Sequence, residues 1–366
     1  MATTSSIPIP ATAEAFAERL MAAAATAFEV FGIYLGDRLG YYSVLARQGP
    51  LSPGDLAERT GTNARYVREW MEHQAVAGIL QVEDETAPAE RRRFFLPPDK
   101  AEVLADTESL NYLAPLAQLT AGALRPIEEV HRVFREGGGV PYDEYGVDLR
   151  EGQGRMNRAA FLQLLGSEWI PGMSDVDERL KTAQSPRVAD FGCGLGWSSI
   201  GVARSYPRVH VDGFDLDGPS IEAARRHAEQ AGVAERVHFE VRDAGDPELA
   251  GRYDLVLALE CVHDMSDPVA ALRTMRRLAR QDGTVLVVDE RVASEFTPSA
   301  GLTERLMYGF SILHCLPVGM ADQPSAGTGT VMRAGTLTSY AKEAGFRDVE
   351  ILAIENPLFR FYRLRP

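Results

Sequence analysis

The chain is short of positive charge, of cysteine and of long apolar runs, and each shortage removes a class of function. Across 366 residues, 38 lysines and arginines face 52 aspartates and glutamates, a formal charge of −14 at pH 7. Polyanions are held by clustered basic side chains, so nucleic acid is disfavoured as a partner. The three cysteines, Cys193, Cys261 and Cys315, follow no metal-ligand spacing. An odd count in a long chain fits a reducing compartment rather than a disulfide scaffold, so a cytoplasmic protein without a metal is expected. No apolar run approaches the roughly 20 residues that span a bilayer, and Glu14, Glu18 and Arg19 interrupt the alanine-rich N-terminal segment as a signal core, so no membrane partner is expected. Internal repeats and low-complexity linkers are missing as well. What remains, 45% hydrophobic and 25% charged, is ordinary for a globular chain with a sizeable core and more than one domain.

The strongest local pattern is Val188-Ala-Asp-Phe-Gly-Cys-Gly-Leu-Gly196. Residues 187–191 read as a strand and residues from Ser198 onward as a helix, so the glycines form a sharp turn at a strand's carboxyl end. Glycine there permits positive φ and close approach of a ligand, and the helix that follows presents free N–H groups. A dinucleotide turn needs a third glycine at position 197, where this chain has Trp197. The G-x-G-x-G spacing behind Asp190 instead resembles motif I of class I S-adenosylmethionine-dependent methyltransferases, which implies Asp190, Gly192, Gly194 and Gly196 as cofactor residues and S-adenosylhomocysteine as product.

Later strands end in acids at fitting places. Residues 209–215 form a second strand ending in Asp215, 25 residues after Asp190, where a carboxylate can accept both ribose hydroxyls, with Leu216 beside it. Asp217 reads as the N-cap of the next helix, with Pro219 in its first turn. A third strand ends at Asp243-Ala244, the place at which the resemblance implies a carboxylate on the adenine amino group and a backbone N–H on the ring. The fourth, Tyr253-Asp-Leu-Val-Leu-Ala-Leu, runs into Glu260, carried with the cofactor set, and then Cys261-Val-His-Asp-Met-Ser-Asp267.

The N-terminal part reads as helices. Residues 12–34 place Phe16, Leu20, Phe28 and Phe31 near helical spacing on a segment too apolar to stand alone in water. Two short helices capped by Ser52 and Asn63, a glycine-broken turn and a hairpin at 81–96 then describe a winged helix-turn-helix. Between Leu51 and Val82, however, three arginines face four acids, and a recognition helix should be basic. Arg91-Arg-Arg93 reads as a solvated hairpin tip behind Glu83, Asp84, Glu85 and Glu90. The unit is expected to be scaffold and dimerisation surface, giving a homodimer.

Residues 105–182 read as a second helical stretch broken at Gly137-Gly-Gly, a roof over a site, with Tyr142, Tyr145 and Trp169 as pocket candidates and Glu168 as a pocket acid. The apolar segment 308–317 is a candidate wall, with His314 as an acceptor contact, and Ala326-Gly-Thr-Gly-Thr330 reads as a flexible loop.

Val262-His-Asp-Met-Ser-Asp-Pro, followed by a helix over 269–280, a turn at Gly283 and a strand to Asp289-Glu290, is similar to the H-D-x-S-D block of plant-type small-molecule O-methyltransferases and their bacterial relatives. That resemblance covers most of the chain. It implies an α/β fold, a Rossmann-like seven-stranded sheet behind an α-helical winged-helix domain, with His263 as general base and Asp289 as the acid that orients it; Glu290 is its neighbour. Side chains alternate along a strand, so only one of the two acids is expected to face the site. The chain departs from the plant pattern at Leu259 and Glu260 and at Met332-Arg333, which leaves adenine contacts and histidine activation open.

The expected domains are 1–104, winged helix; 105–182, helical linker and lid; and 183–366, catalytic. The expected activity is methylation of a small, largely apolar, natural-product-like acceptor, on oxygen through His263. Two other readings stand beside it: carbon methylation with an acid such as Glu168 as base, and a winged-helix regulator that senses the cofactor and binds DNA. A chain that keeps the cofactor but no longer methylates is a further possibility.

Overall fold

A computed structural model describes residues 12–366. These divide into two compact units, one of residues 12–122 with 151–159 and one of residues 123–150 with 160–366. The helical stretch 105–182, expected as a part of its own, is shared between them, because its helices pack onto two different cores.

The N-terminal unit is built on Ala13–Arg38, a helix capped by the Thr12 side chain. Its buried positions are Gly32 and Gly36. A Cβ at Gly36 would meet the Trp70 ring, and the Trp70 indole N–H donates to the Gly32 carbonyl at 2.8 Å, so small residues let the two helices close up. Helices Tyr41–Gln48, Pro53–Thr60 and Ala64–Val76 follow, the third opened by a capping box between Ser52 and Asp55 and the fourth by Asn63. Strands β1 (Gln81–Val82) and β2 (Phe94–Phe95) pair antiparallel as the wing, and Leu51 bridges to Phe94 on its other side. Tyr42, Leu45, Leu56, Met71 and Phe94 fill the core. By length and composition Ala13–Arg38 is apolar enough to cross a membrane, which the expectation of no such run did not anticipate. Six charges, at Glu14, Glu18, Arg19, Glu29, Asp37 and Arg38, break the segment into shorter apolar stretches and conceal its overall hydropathy.

The second unit holds seven strands, β3 (Arg187–Phe191), β4 (His210–Asp215), β5 (Val237–Val241), β6 (Tyr253–Leu259), β7 (Ala279–Glu290), β8 (Asp348–Ile351) and β9 (Phe359–Arg365), in the order β5-β4-β3-β6-β7-β9-β8. All pairings are parallel except those of β9, which runs antiparallel to β7 and β8. Every side chain of β6 is buried, as a strand covered on both faces requires. The order reverses between β3 and β6, and in open α/β sheets the crevice at the carboxyl ends of such a pair is where ligands bind.

Trp169 belongs to the core rather than to a pocket. It is fully buried, with its ring edge-on to Phe161, Phe359 and Phe361 at centroid distances of 6.0, 6.0 and 5.1 Å. Glu168, next to it on a single π-type turn at Leu165–Trp169, is exposed to solvent. The turn sends one side chain inward and the other out, so the acid expected in the pocket lies outside it.

Candidate active site

The turn after β3 has the backbone its glycines permit. Gly192, Gly194 and Gly196 have φ of 65°, 51° and 81°, a region closed to most side chains. A Cβ at Gly192 would strike Cys261, and one at Gly196 would strike Phe239 and Ala224, so those two serve packing. At Gly194 a Cβ would meet nothing within 4 Å, which marks the open side of the turn. The helix Trp197–Ser205 starts there with its N–H groups facing the crevice end. Trp197, which replaces the dinucleotide glycine, stacks on His227 at 4.3 Å.

Asp190 is buried and accepts hydrogen bonds from the Ser198 and Ser199 hydroxyls, both at 2.6 Å. Burial pushes its carboxyl up to about 6 against the pull of those two donors. Asp215 accepts the Gly194 N–H at 2.8 Å and the Asp217 N–H at 2.9 Å, and burial raises its pKa as well. Asp217 caps its helix through Ser220 and forms a two-pronged ion pair with Arg150. Leu216 and Asp243 are exposed, and the Asp243 carboxylate accepts the Gly245 N–H at 2.7 Å; Ala244 is half-buried. Glu260 has φ +54°, alone among the described residues other than glycine in a positive-φ conformation, as the chain leaves β6 for the site. An open glycine corner, a buried carboxylate and a second one at the next strand end suit a ligand with a cationic tail and a ribose.

His263 lies beyond Glu260 on a 3₁₀ turn, Val262–Asp264, and is buried. Its Nδ1 donates to Asp289 Oδ1 at 2.7 Å, and Glu290 Oε2 stands 3.2 Å from the same nitrogen. Both acids therefore reach the ring, where alternation allowed for one. Glu290 ends β7, and its extra methylene carries the carboxyl back to the imidazole. Asp264 Oδ1 lies 3.1 Å from Nε2 as a charge contact, without an aligned hydrogen bond. Burial disfavours charge on His263, but the carboxylates of Asp264, Asp289 and Glu290 outweigh it and hold the pKa well above the ordinary value. In turn, burial would raise Asp289, but the imidazolium holds it low; Glu290, buried beside an already ionised neighbour, is driven well up.

Two triads of side chains come close enough to ligate a cation, His263 with Asp264 and Cys315, and His263 with Asp289 and Glu290. Both share the one ring of His263, whose raised pKa favours a proton at their centre.

Above the ring, Val140 N–H donates to the Pro317 carbonyl at 2.9 Å and Tyr145 Oη to the Leu313 carbonyl at 3.0 Å, joining residues 137–146 to the segment 311–319. Tyr142, Tyr145 and His314 come together there, with centroids 6.0 and 4.6 Å from the histidine ring to the two tyrosines. The loop at 326–330, expected to be flexible, is tied to this site. Gly329 N–H donates to the His263 carbonyl at 3.2 Å and Ala326 N–H to that of Ser266 at 2.8 Å. Glycine-rich composition gave no sign of these partners, nor of Asp264 and Cys315 as neighbours of the ring.

Sheet order, glycine turn and histidine cluster define a methyltransferase domain of the class I fold, which follows a winged-helix domain in the sequence. Two family models agree, a methyltransferase domain over residues 184–323 and an Rv2258c-like winged HTH domain over residues 27–106. The methyltransferase domain is S-adenosylmethionine-dependent. The ubiquinone biosynthesis O-methyltransferase of Pseudomonas aeruginosa is 28% identical over 190 residues, covering 52% of this chain and 76% of that protein. The ajmaline N-methyltransferase of Rauvolfia serpentina is 29% identical over 133 residues, and there the match spans 34% of this chain and less than half, 45%, of the relative. Human N-acetylserotonin methyltransferase, solved with its methyl donor, shares the fold over 98% of this chain and 99% of its own, with a TM-score of 0.65 at 18% identity.

Proposed function

We propose that the protein transfers a methyl group from S-adenosylmethionine to an oxygen of a small, largely apolar acceptor, with His263 as general base. The observation that carries this reading is the clamp of Asp289 on Nδ1, which fixes the ring so that Nε2, with Asp264 Oδ1 3.1 Å away and no aligned hydrogen bond to it, is the nitrogen for an acceptor hydroxyl. Asp190 and the Gly192–Gly194–Gly196 turn receive the methionine end of the cofactor, Asp215 its ribose, and Leu216, Asp243, Ala244 and Glu260 flank the adenosine. When bound, the cofactor supplies an electrophilic methyl on a sulfonium sulfur and leaves as S-adenosylhomocysteine.

His263 takes the hydroxyl proton on Nε2 as the oxygen bonds to the methyl carbon. The charge then gained by the ring is stabilised by Asp289, with Glu290 beside it. Tyr142 and Tyr145 wall the acceptor, excluding water and holding it in line, which contributes more to methyl transfer than proton movement does. Carbon methylation through Glu168 loses its base, since that carboxylate is exposed. DNA binding is disfavoured because Arg68, Arg92 and Arg93 are already paired with Glu90, Glu72 and Glu83. A second copy of this chain is the partner this reading requires, through the apolar face of Ala13–Arg38.

Labelled-methyl transfer into small-molecule extracts of the source organism tests the reading. Label in a low-molecular-weight product that extracts into organic solvent is expected. No labelled product, or label confined to macromolecules, contradicts it.

A further inference from the structure

Next to the ring that takes the proton stand two buried acceptor atoms without an aligned donor, His314 Nε2 and Asp264 Oδ1. A buried polar atom left unpaired costs on the order of a hydrogen bond or more, and it is tolerated where a ligand completes it. His314 is 7% exposed, and burial drives its pKa down to about 4, so the ring is neutral. One of its nitrogens is then a donor and the other an acceptor.

Cys315 decides which. The π-type turn Ser311–Cys315 carries both side chains inward, and His314 Nδ1 lies 3.3 Å from Cys315 Sγ. Burial and the Asp264 charge push the thiol up to about 12, so it keeps its proton. The sulfur lies within 4.8 Å of the Asp264 carboxylate and of a His263 ring nitrogen. Nδ1 is thus paired with the sulfur and Nε2 is the ring nitrogen without a partner; with Nδ1–H as the donor to sulfur, Nε2 is a bare lone pair. Tyr145 and Tyr142 meet the imidazole edge-on, and Tyr145 Oη is committed to the Leu313 carbonyl, so neither ring's stacking supplies Nε2 with a donor.

We propose that His314 is a specificity-determining residue that, with Asp264, accepts a hydrogen bond from a second donor on the acceptor, a hydroxyl or amino group beside the atom that is methylated. The proposal rests on the methyltransferase reading of the site and deepens it. A site that accepts a substrate N–H or O–H rejects analogues without it more strongly than an apolar wall rejects an added one, because its own polar atoms are left unpaired. Asp264 shares that contact through its unpaired Oδ1, which its charge contact with His263 holds beside the ring.

The test is binding to the full-length protein saturated with S-adenosylhomocysteine, measured by calorimetry. The probes are catechol and 2-aminophenol, each with two donors, against guaiacol, in which one donor is a methyl ether. The wild type is expected to bind the two-donor probes on the order of tenfold more tightly. His314→Leu should bring the three within about twofold, and His314→Gln, which keeps an acceptor, should recover part of the preference. Equal binding of the three probes, no binding of any, or an unchanged preference in His314→Leu overturns the proposal. His263→Ala separates the two readings, since a donor preference that persists there while turnover is unaffected refutes the base and not the second contact.

Discussion

The imidazole of His263 donates through Nδ1 to Asp289 Oδ1 over 2.7 Å, with neither side chain more than 3% exposed. A buried charge needs a partner to be tolerated, and this pair is mutually dependent.

That pairing sets a pH profile. Asp264, Asp289 and Glu290 face the ring, with His314 and Cys315 nearby, and the net effect is a His263 pKa well above its ordinary value. A base works only unprotonated, so kcat/KM is expected to rise with pH through an apparent pKa above about 6.5. Asp289→Asn removes a charge that favours the imidazolium, so the same limb should move to lower pH while kcat falls. A rate that is flat over this range, or a limb that Asp289→Asn leaves in place, contradicts the pairing.

Cofactor affinity should carry its own pH dependence. Burial pushes the Asp190 carboxyl up to about 6, and a cationic ligand favours its ionised form. Binding of S-adenosylhomocysteine is expected to weaken as pH falls below that value, by up to about tenfold per unit. Calorimetry checks this, and Asp190→Asn should bind weakly with the slope abolished.

Much of this site was legible in the chain and some was not, for physical reasons. The positive-φ glycines and Asp190 stand where the spacing requires, because a turn of that kind is a local property of the backbone. His263 and Asp289 could be paired from the order of two sequence blocks. Glu290 was a candidate beside Asp289, but that both reach the ring was not legible, since alternation describes the middle of a strand and Glu290 ends one. Trp169 and Glu168 were misread because a π-type turn shifts the helical phase by one residue, which periodicity does not register. Asp264, Cys315 and the 326–330 loop meet His263 only through tertiary contacts.

Trp169→Ala is therefore a test of the core. Loss of a buried ring of this size should cost about 3–5 kcal/mol of stability, read in chemical denaturation. Glu168→Gln should leave both stability and turnover within about twofold of wild type. Large loss of turnover in the second variant would restore the acid as a base.

The face of Ala13–Arg38 that exposes Phe16, Leu20, Met21 and Phe28 is too apolar for water. Light scattering of the purified chain should give twice the monomer mass, and Leu20→Glu with Phe28→Glu should give a folded monomer. A monomeric wild type refutes the assignment of that face to a second copy.

The central claim is tested most directly by single-turnover methyl transfer with His263→Ala, beside its affinity for S-adenosylhomocysteine. The account predicts a fall of about 10²- to 10⁴-fold in the transfer rate with cofactor affinity within about twofold of wild type. Transfer at the full wild-type rate in that variant contradicts it.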